Sequence, residues 1–386
     1  MSTASFWGAL LILLSSIVKF FEALRAWRLV RPLLGEDLRS MALHHHRLSV
    51  IIPARNEERK LEGALRTVLG QDHPNLEVIL VDDRSTDETG SIMERLCARR
   101  EDASVIHIEE LPEGWLGKNH AVWVGARRAR GDWLLLTDAD VCFHPAAFRK
   151  AVDYAEERGL DHLTLIPDLR LSGYWLQSLV AFFYTAFLVL RGYYKANILS
   201  SDTGIGIGAF NLIRREAYEI VGGYEALAQR PDDDLTLGDR VKKLGLRQKL
   251  ALGHGLLEVE WYASLGEFFR GVEKNSFAAL GYSVPKTTGW VIIALAAMAW
   301  PFVGIFVSSR RTATLYLGAV AAQVATFAVC NRFLGLRAFL FALGYPFCVL
   351  LFTYTLARSA LLALARGGIY WRDTFYPLSV LKHVKH

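Results

Sequence analysis

Between residues 48 and 140 the chain alternates short apolar runs with amphipathic stretches, and few folds accept that pattern. The runs 48–53, 76–81 and 105–108 read as strands, and 133–136 is short and continuously apolar. Strands buried on both faces of a parallel sheet read this way. The stretches between them have helical spacing, as at Leu61, Leu65, Val68 and Leu69, and a loop at 112–118 is expected to enter a further helix at 121–129. Such alternation predicts an α/β domain, a parallel sheet covered by helices. Three of the four runs lead into acidic loops: Asn56-Glu57, Asp82-Asp83 and Thr137-Asp138-Ala-Asp140. In a parallel sheet these ends share one edge, the edge where α/β proteins bind ligands.

Asp138 and Asp140 face the problem of two carboxylates one residue apart. Turns also favour Asp, so the pair alone is ambiguous. Its acidic neighbours point instead to a hard divalent cation between the carboxylates, an ion that commonly also holds a substrate diphosphate. A third acidic group, Asp232-Asp233-Asp234, heads a helix with Leu237, Val241 and Leu244 on one face. Acids there suit the helix dipole. Three in succession exceed what capping needs and suggest a catalytic role for one of them. The glycine-rich segment 203–208 does not follow the G-x-G-x-x-G order of a first strand and helix, which counts against a dinucleotide fold.

The ends of the chain are of another character. Hydrophobic residues form 52% of the 386, mean hydropathy is +0.22, and the excess lies in the terminal thirds. Residues 6–18 carry neither the basic flank nor the cleavage site of a signal peptide, so an uncleaved anchor is expected, with an interfacial helix as the alternative. Further spans are expected at 290–307, 313–329 and 338–364. Residues 174–190 lie inside the soluble part and are expected as an interfacial helix or core. The resulting scheme is an anchor at 1–30, a catalytic domain at 45–260, an interfacial helix region at 261–286, spans at 288–365 and a basic tail at 366–386. Simple alternation of spans places the tail opposite the catalytic domain, whereas Arg366, Arg372, Lys382 and Lys385 argue for the cytoplasmic side. Basic residues beside the apolar ends, among them Arg25, Arg28, Arg310 and Arg311, suit anionic lipid headgroups. A net charge of +5 gives no reason to expect nucleic acid. The four cysteines have no metal-ligand spacing, and His44-His45-His46 sits in a linker with no expected role.

Taken in order, Asn56-Glu57, Val81-Asp-Asp-Arg-Ser-Thr-Asp87, Gly117-Lys118, Thr137-Asp-Ala-Asp140 and Asp232-Asp-Asp-Leu-Thr-Leu-Gly238 resemble a membrane-bound family-two glycosyltransferase of the GT-A fold. Pro112-Glu-Gly-Trp-Leu-Gly-Lys-Asn-His-Ala121, Gly222-Gly-Tyr224 and Trp371-Arg-Asp373 are similar to the lipid-glycosylating branch, which includes hopanoid-associated, carotenoid and ceramide glycosyltransferases. The resemblance covers about residues 48–275. It implies a Rossmann-like nucleotide-sugar-binding domain in which Asp82 and Asp83 bind the base, with Pro53, Ala54, Asn56 and Glu57 beside them. Asp138 would face the ribose or sugar, and Asp140, with Asp138, would bind Mg²⁺ or Mn²⁺. Lys118 would add positive charge near the phosphates. Asp234, with Asp233 beside it, matches the second acid of the family's Glu-Asp motif and would be the general base of an inverting transfer.

One family motif is missing. Processive synthases and ceramide glucosyltransferase carry Gln/Arg-x-x-Arg-Trp on an interfacial helix, and no such motif occurs here. In its place stands the stretch 264–277, where Arg270 and Lys274 are four apart and could meet a diphosphate or lipid headgroup. Single-sugar transfer from a UDP-sugar to a lipid at the cytoplasmic membrane face is therefore expected. A polyprenyl-phosphate acceptor is the alternative within enzymes. A non-catalytic membrane adaptor would leave its acidic sites free to decay, and a soluble nucleotidyltransferase would not need the apolar ends.

Overall fold

The computed structural model describes residues 3–35, 46–335, 344–371 and 374–381. Contacts divide the chain into an α/β unit, residues 30–170 and 194–261, and a helical unit, residues 1–29, 171–193 and 262–386. After the apolar helix α1 (Thr3–Leu29) come β1 (Leu48–Ala54), α2 (Glu58–Leu69), β2 (Leu76–Asp83), α3 (Thr89–Cys97), β3 (Ala103–Ile108), α4 (Gly117–Arg128) and β4 (Trp133–Leu136). Then follow β5 (Val141–Phe143), α5 (Ala147–Glu157), β6 (His162–Ile166) and β7 (Asp168–Leu169). Beyond α6 (Tyr174–Thr185) the α/β unit resumes with β8 (Asn211–Arg214), α7 (Arg215–Ile220), α8 (Asp233–Lys243), β9 (Gln248–Leu252) and β10 (Leu257–Val259).

The main sheet has the order β3-β2-β1-β4-β8-β6-β9. Every residue of β1 and β4 is buried, which is why these strands read as unbroken apolar runs. Strands β1 to β4 pair in parallel, so their carboxyl ends share one edge. Alternate residues face opposite ways: Val50 and Ile52 join one apolar cluster with α2, α3 and α5, whereas Ile51 joins another with α4, α7 and α8. The sheet is mainly parallel, with β8 reversed between β4 and β6. Pairing Leu136 with Asn211 brings the segment entering β8 to the edge where β4 ends. A small sheet, β5-β10-β7, sets Val141 opposite Val259 and so places Asp140 beside Glu260.

The helical unit holds α1 and α6, the latter continuing through a π-turn to Leu190. It also holds α9 (Leu265–Ala278), α10 (Val284–Ala294), α11 (Trp300–Val307), α12 (Arg310–Asn331) and a helix at Tyr345–Arg366. Four helices are long and apolar enough to cross a membrane: Thr3–Leu29, Val284–Val307, Arg310–Leu334 and Tyr345–Arg366. The last is shorter than the expected 338–364 span among the described residues, since 336–343 lie outside them. Several polar groups between these helices are bonded to one another. Gln323 Nε2 donates to Ser16 Oγ (3.2 Å) and Ala297 O (2.8 Å), and Arg358 and Arg366 both bind the Glu273 carboxylate. Helix α6 packs with the apolar helices, although it lies inside the 45–260 segment. Leu176, Leu179, Val180 and Phe182 are buried, while Tyr174 and Trp175 are exposed at its start.

Candidate active site

Helix α4 begins four residues earlier than its apolar pattern suggests. Leu116 precedes it in extended conformation with no side-chain cap, so local sequence carries little start signal. Lys118 therefore stands in the first turn of a helix, where a loop was expected. A methyl group on Gly117 would overlap the Asp83 carboxylate and the Arg84 guanidinium, so with any larger residue those two side chains would have to move aside. From inside α4, Asn119 Nδ2 donates to the carbonyls of Leu227 (2.6 Å) and Arg230 (2.9 Å), and Leu116 N–H donates to Ala228 O (2.8 Å). These bonds draw the chain before α8 against α4.

The result is one acidic recess with a partly buried cation. Lys118 Nζ lies 2.6 Å from Asp138 and 4.0 Å from Asp233. Asp233 also accepts from the Tyr224 hydroxyl at 2.8 Å. Asp234, the next residue, accepts from Gly208 N–H (2.9 Å) and Leu235 N–H (2.7 Å). Gly208 O in turn accepts from Asp138 N–H (3.1 Å), and Thr137 donates to Ala209 O (2.8 Å). Pro53, Thr137 and Gly208 line the same recess with Lys118, Asp138 and Tyr224.

Burial pushes the Asp234 carboxyl up to about 7, and neighbouring Asp233 adds to this while Lys118 opposes it. Lys118 is burdened by burial too. The carboxylates of Asp138, Asp233 and Asp234 outweigh that burden and hold its ammonium charged beyond the ordinary lysine range. Asp140 is raised to about 6, first by burial and then by Asp138 and Glu57, with Lys60 partly offsetting them. Lys60 Nζ stands 3.7 Å from Asp140 and 3.3 Å from Glu260. An under-compensated carboxylate of this kind fits a hard divalent cation. Among the described residues no group of three acidic, histidine or cysteine ligands surrounds an ion, so substrate oxygens or water would have to complete its shell.

The other expected donor residues form a stitched corner at the ends of β1 and β2. Asn56, in left-handed conformation (φ 54°), accepts from Thr86 N–H (2.8 Å) while its own N–H donates to Ser85 Oγ (3.1 Å). Glu57 N–H donates to Thr89 Oγ1 (2.8 Å). Asp82 is held by Ser85 N–H (3.1 Å) and His107 Nδ1 (2.9 Å), and Asp83 by Arg84 (2.8 Å). Pro53 and Ala54 close β1 beside Val81 and Asp82. Arg270 is exposed on α9 in the helical unit, and the Lys274 side chain lies outside the described residues.

Lys60, Glu260, Tyr224 and Gly208 were not singled out as site residues from sequence. Tyr224 was visible within Gly222-Gly-Tyr224, but its bond to Asp233 was not. Lys60 and Glu260 are 200 positions apart, and only the β5–β10 pairing brings them together.

Residues 49–222 match the family model described as Glycosyl transferase family 2. A 4,4'-diaponeurosporenoate glycosyltransferase of Staphylococcus aureus (strain USA300) is 22% identical over 351 residues, 88% of this chain and 91% of that protein. Among solved structures, a mannosyltransferase from Pyrobaculum calidifontis in complex with GDP-Man and Mn²⁺ aligns with TM-score 0.49 and 20% identity over 92% of this chain and 98% of that one. S. aureus TarS 1-349 in complex with UDP-GlcNAc aligns with TM-score 0.41 and 15% identity over 86% and 96%. The family match takes in the ends of β1, β2 and β4 and the 204–208 segment, and stops short of Tyr224, Asp233 and Asp234; the chain is a glycosyltransferase with a family 2 domain.

Proposed function

We propose that the protein moves a single sugar from a UDP-sugar to a lipid hydroxyl at the cytoplasmic face of a bacterial inner membrane, inverting the anomeric centre. The observation that carries this reading is the Asp234 carboxyl, raised to about 7 beside the charged Lys118–Asp138 pair. A base is most useful when its pKa lies near the working pH. Asp234 would take the proton of the acceptor hydroxyl as its oxygen attacks the anomeric carbon. The bond from that carbon to the diphosphate oxygen breaks, and the nucleoside diphosphate leaves with the electron pair. Asp233, fixed by Tyr224, would keep its neighbour's proton affinity high. Lys118 would balance negative charge on the departing diphosphate.

Asp82 and Asp83 are assigned to the base, with Pro53, Ala54, Asn56 and Glu57 shaping that end of the donor site. Asp138 would face the ribose or sugar. Asp140 and Asp138 would hold Mg²⁺ or Mn²⁺, which when bound neutralises diphosphate charge. Arg270 and Lys274 are assigned to phosphate or headgroup contact. The carotenoid-acid relative and the four membrane-length helices support a lipid acceptor.

Radiolabelled UDP-glucose and a crude lipid extract, incubated with detergent-purified protein, test the reading. Label should enter the organic phase with Mn²⁺, stay out of it with EDTA, and stay out in Asp140→Asn and Asp234→Asn. Transfer that persists in Asp234→Asn would instead indicate an acceptor that is already ionised, such as a polyprenyl phosphate. No binding or turnover of any sugar nucleotide would defeat the donor-site assignment.

A further inference from the structure

Behind the recess, three polar side chains are buried on adjacent strands: His162 on β6, Asn211 on β8 and Gln248 on β9. Gln248 Nε2 donates to His162 Nδ1 at 2.8 Å, so the imidazole proton lies on Nε2, which reaches Asn211 Oδ1 at 3.2 Å. The chain's other bonds reach beyond the sheet, to the segment 204–208 and α8. Gln248 Oε1 accepts from Ile205 N–H (2.9 Å), and its Nε2 also reaches Gly238 O (3.1 Å) on α8. Asn211 accepts from Ile207 N–H (3.2 Å) and donates to Ile207 O (2.9 Å).

From the opposite side the segment meets α8 backbone to backbone. Methyl groups on Gly204 or Gly238 would overlap main-chain atoms across this contact, and one on Gly206 would overlap Asp234 O. Gly204 N–H also donates to Asp239 Oδ1 (3.1 Å). The segment is thus gripped at 204, 205 and 207, and its next residue, Gly208, makes the bonds to Asp234 and Asp138. A sheet needs no buried histidine, asparagine and glutamine to pair its strands. Apolar side chains would do so without the desolvation that these three incur.

We propose that His162, Asn211 and Gln248 are positioning residues that set the 204–208 segment and, through Gly208, aim the Asp234 carboxylate. The proposal rests on Asp234 being the base. Reacting groups lose about 100-fold in rate for an ångström of misplacement, so His162→Phe and Gln248→Met should lower kcat by about 10- to 100-fold. Gly238→Ala, which pushes the segment directly, should do the same.

The experiment combines turnover of labelled UDP-glucose, calorimetric titration with UDP in Mn²⁺, and hydrogen exchange of the 204–210 amides, all on detergent-purified full-length protein. The expected result is a fall in kcat with UDP affinity unchanged within about twofold, and faster exchange confined to 204–210. Asp234→Asn, run in parallel, should lose turnover while its segment exchanges as in wild type. Unchanged kcat in His162→Phe and Gln248→Met, or UDP affinity falling in step with kcat, would overturn the proposal. If Asp234→Asn keeps full turnover, the base assignment fails on its own, and segment exchange still tests the clamp. Should the variants misfold, wild-type exchange decides: Ile205 and Ile207 amides should be as protected as those of β8, and exposed-loop rates there would overturn it.

Discussion

On the proposed reading, Asp234 is placed under two opposing demands, proton affinity for catalysis and burial without charge for stability. As a base it works only when ionised, so log(kcat/KM) should rise with pH and level off above about 7. Asp234→Asn should lower kcat by about 10²- to 10⁴-fold, the usual share of a general base, and remove that limb of the profile. Lys118 lowers the proton affinity of Asp234. Lys118→Met should therefore move the limb to higher pH as well as weaken turnover. Stability runs the other way. A folded-state pKa above the unfolded value means the native state retains a proton that the unfolded chain has lost. That advantage is complete below the unfolded carboxylate pKa and disappears as pH rises through about 7. Asp234→Asn removes the buried charge, so its melting temperature relative to wild type should be higher at pH 8 than at pH 5. Thermal denaturation at both pH values checks this; a constant difference would show that Asp234 is not buried as described.

Among the elements, the legible ones are those whose cause is local. Strands β1, β2 and β4 announce themselves because burial makes their runs mostly apolar, and helix α2 because one apolar stripe faces the sheet. The start of α4 was missed because its reason is a distant one. Gly117 packs against the Asp83 and Arg84 side chains, and Asn119 is held by carbonyls more than 100 residues away. The glycines of 204–208 stood out in the sequence but not as a backbone contact with α8, since Gly238 is separated from them by two elements. Leu244, expected on the apolar face of α8, is half exposed at the helix end, while Leu237 and Val241 are buried. Of the site itself, the acidic ends were readable and their partners were not: His162 read as one polar residue in an apolar strand. The tight packing at α4 gives a further prediction. Gly117→Ala should displace the Asp83–Arg84 pair and raise the UDP-sugar KM by about tenfold, with a smaller change in kcat. Steady-state kinetics separate the two, and an unchanged KM would remove Asp83 from the donor site.

The whole molecule has to satisfy two solvents with one chain, and the order of its segments does not follow the division. Residues 171–193 group with the apolar helices although α/β sequence flanks them on both sides. Their helical stretch, Tyr174–Leu190, is 17 apolar or aromatic-rich residues long, too short to count among the four membrane-length helices. Deleting those four helices should therefore not yield a soluble enzyme. A fragment of residues 46–261 would present the buried face of α6, with Leu176, Leu179, Val180 and Phe182, to water. An exposed apolar patch of that extent drives association. The fragment should sediment on ultracentrifugation without detergent and stay in solution with it. Replacing 171–193 by a flexible Gly/Ser linker should restore solubility without detergent while UDP binding is retained, because the strands and loops of the recess all belong to the α/β unit. If the unmodified fragment is monodisperse in plain buffer, α6 is an ordinary core helix of the catalytic domain. If the linker variant is soluble but no longer binds UDP, the segment contributes to the donor site as well as to the apolar unit.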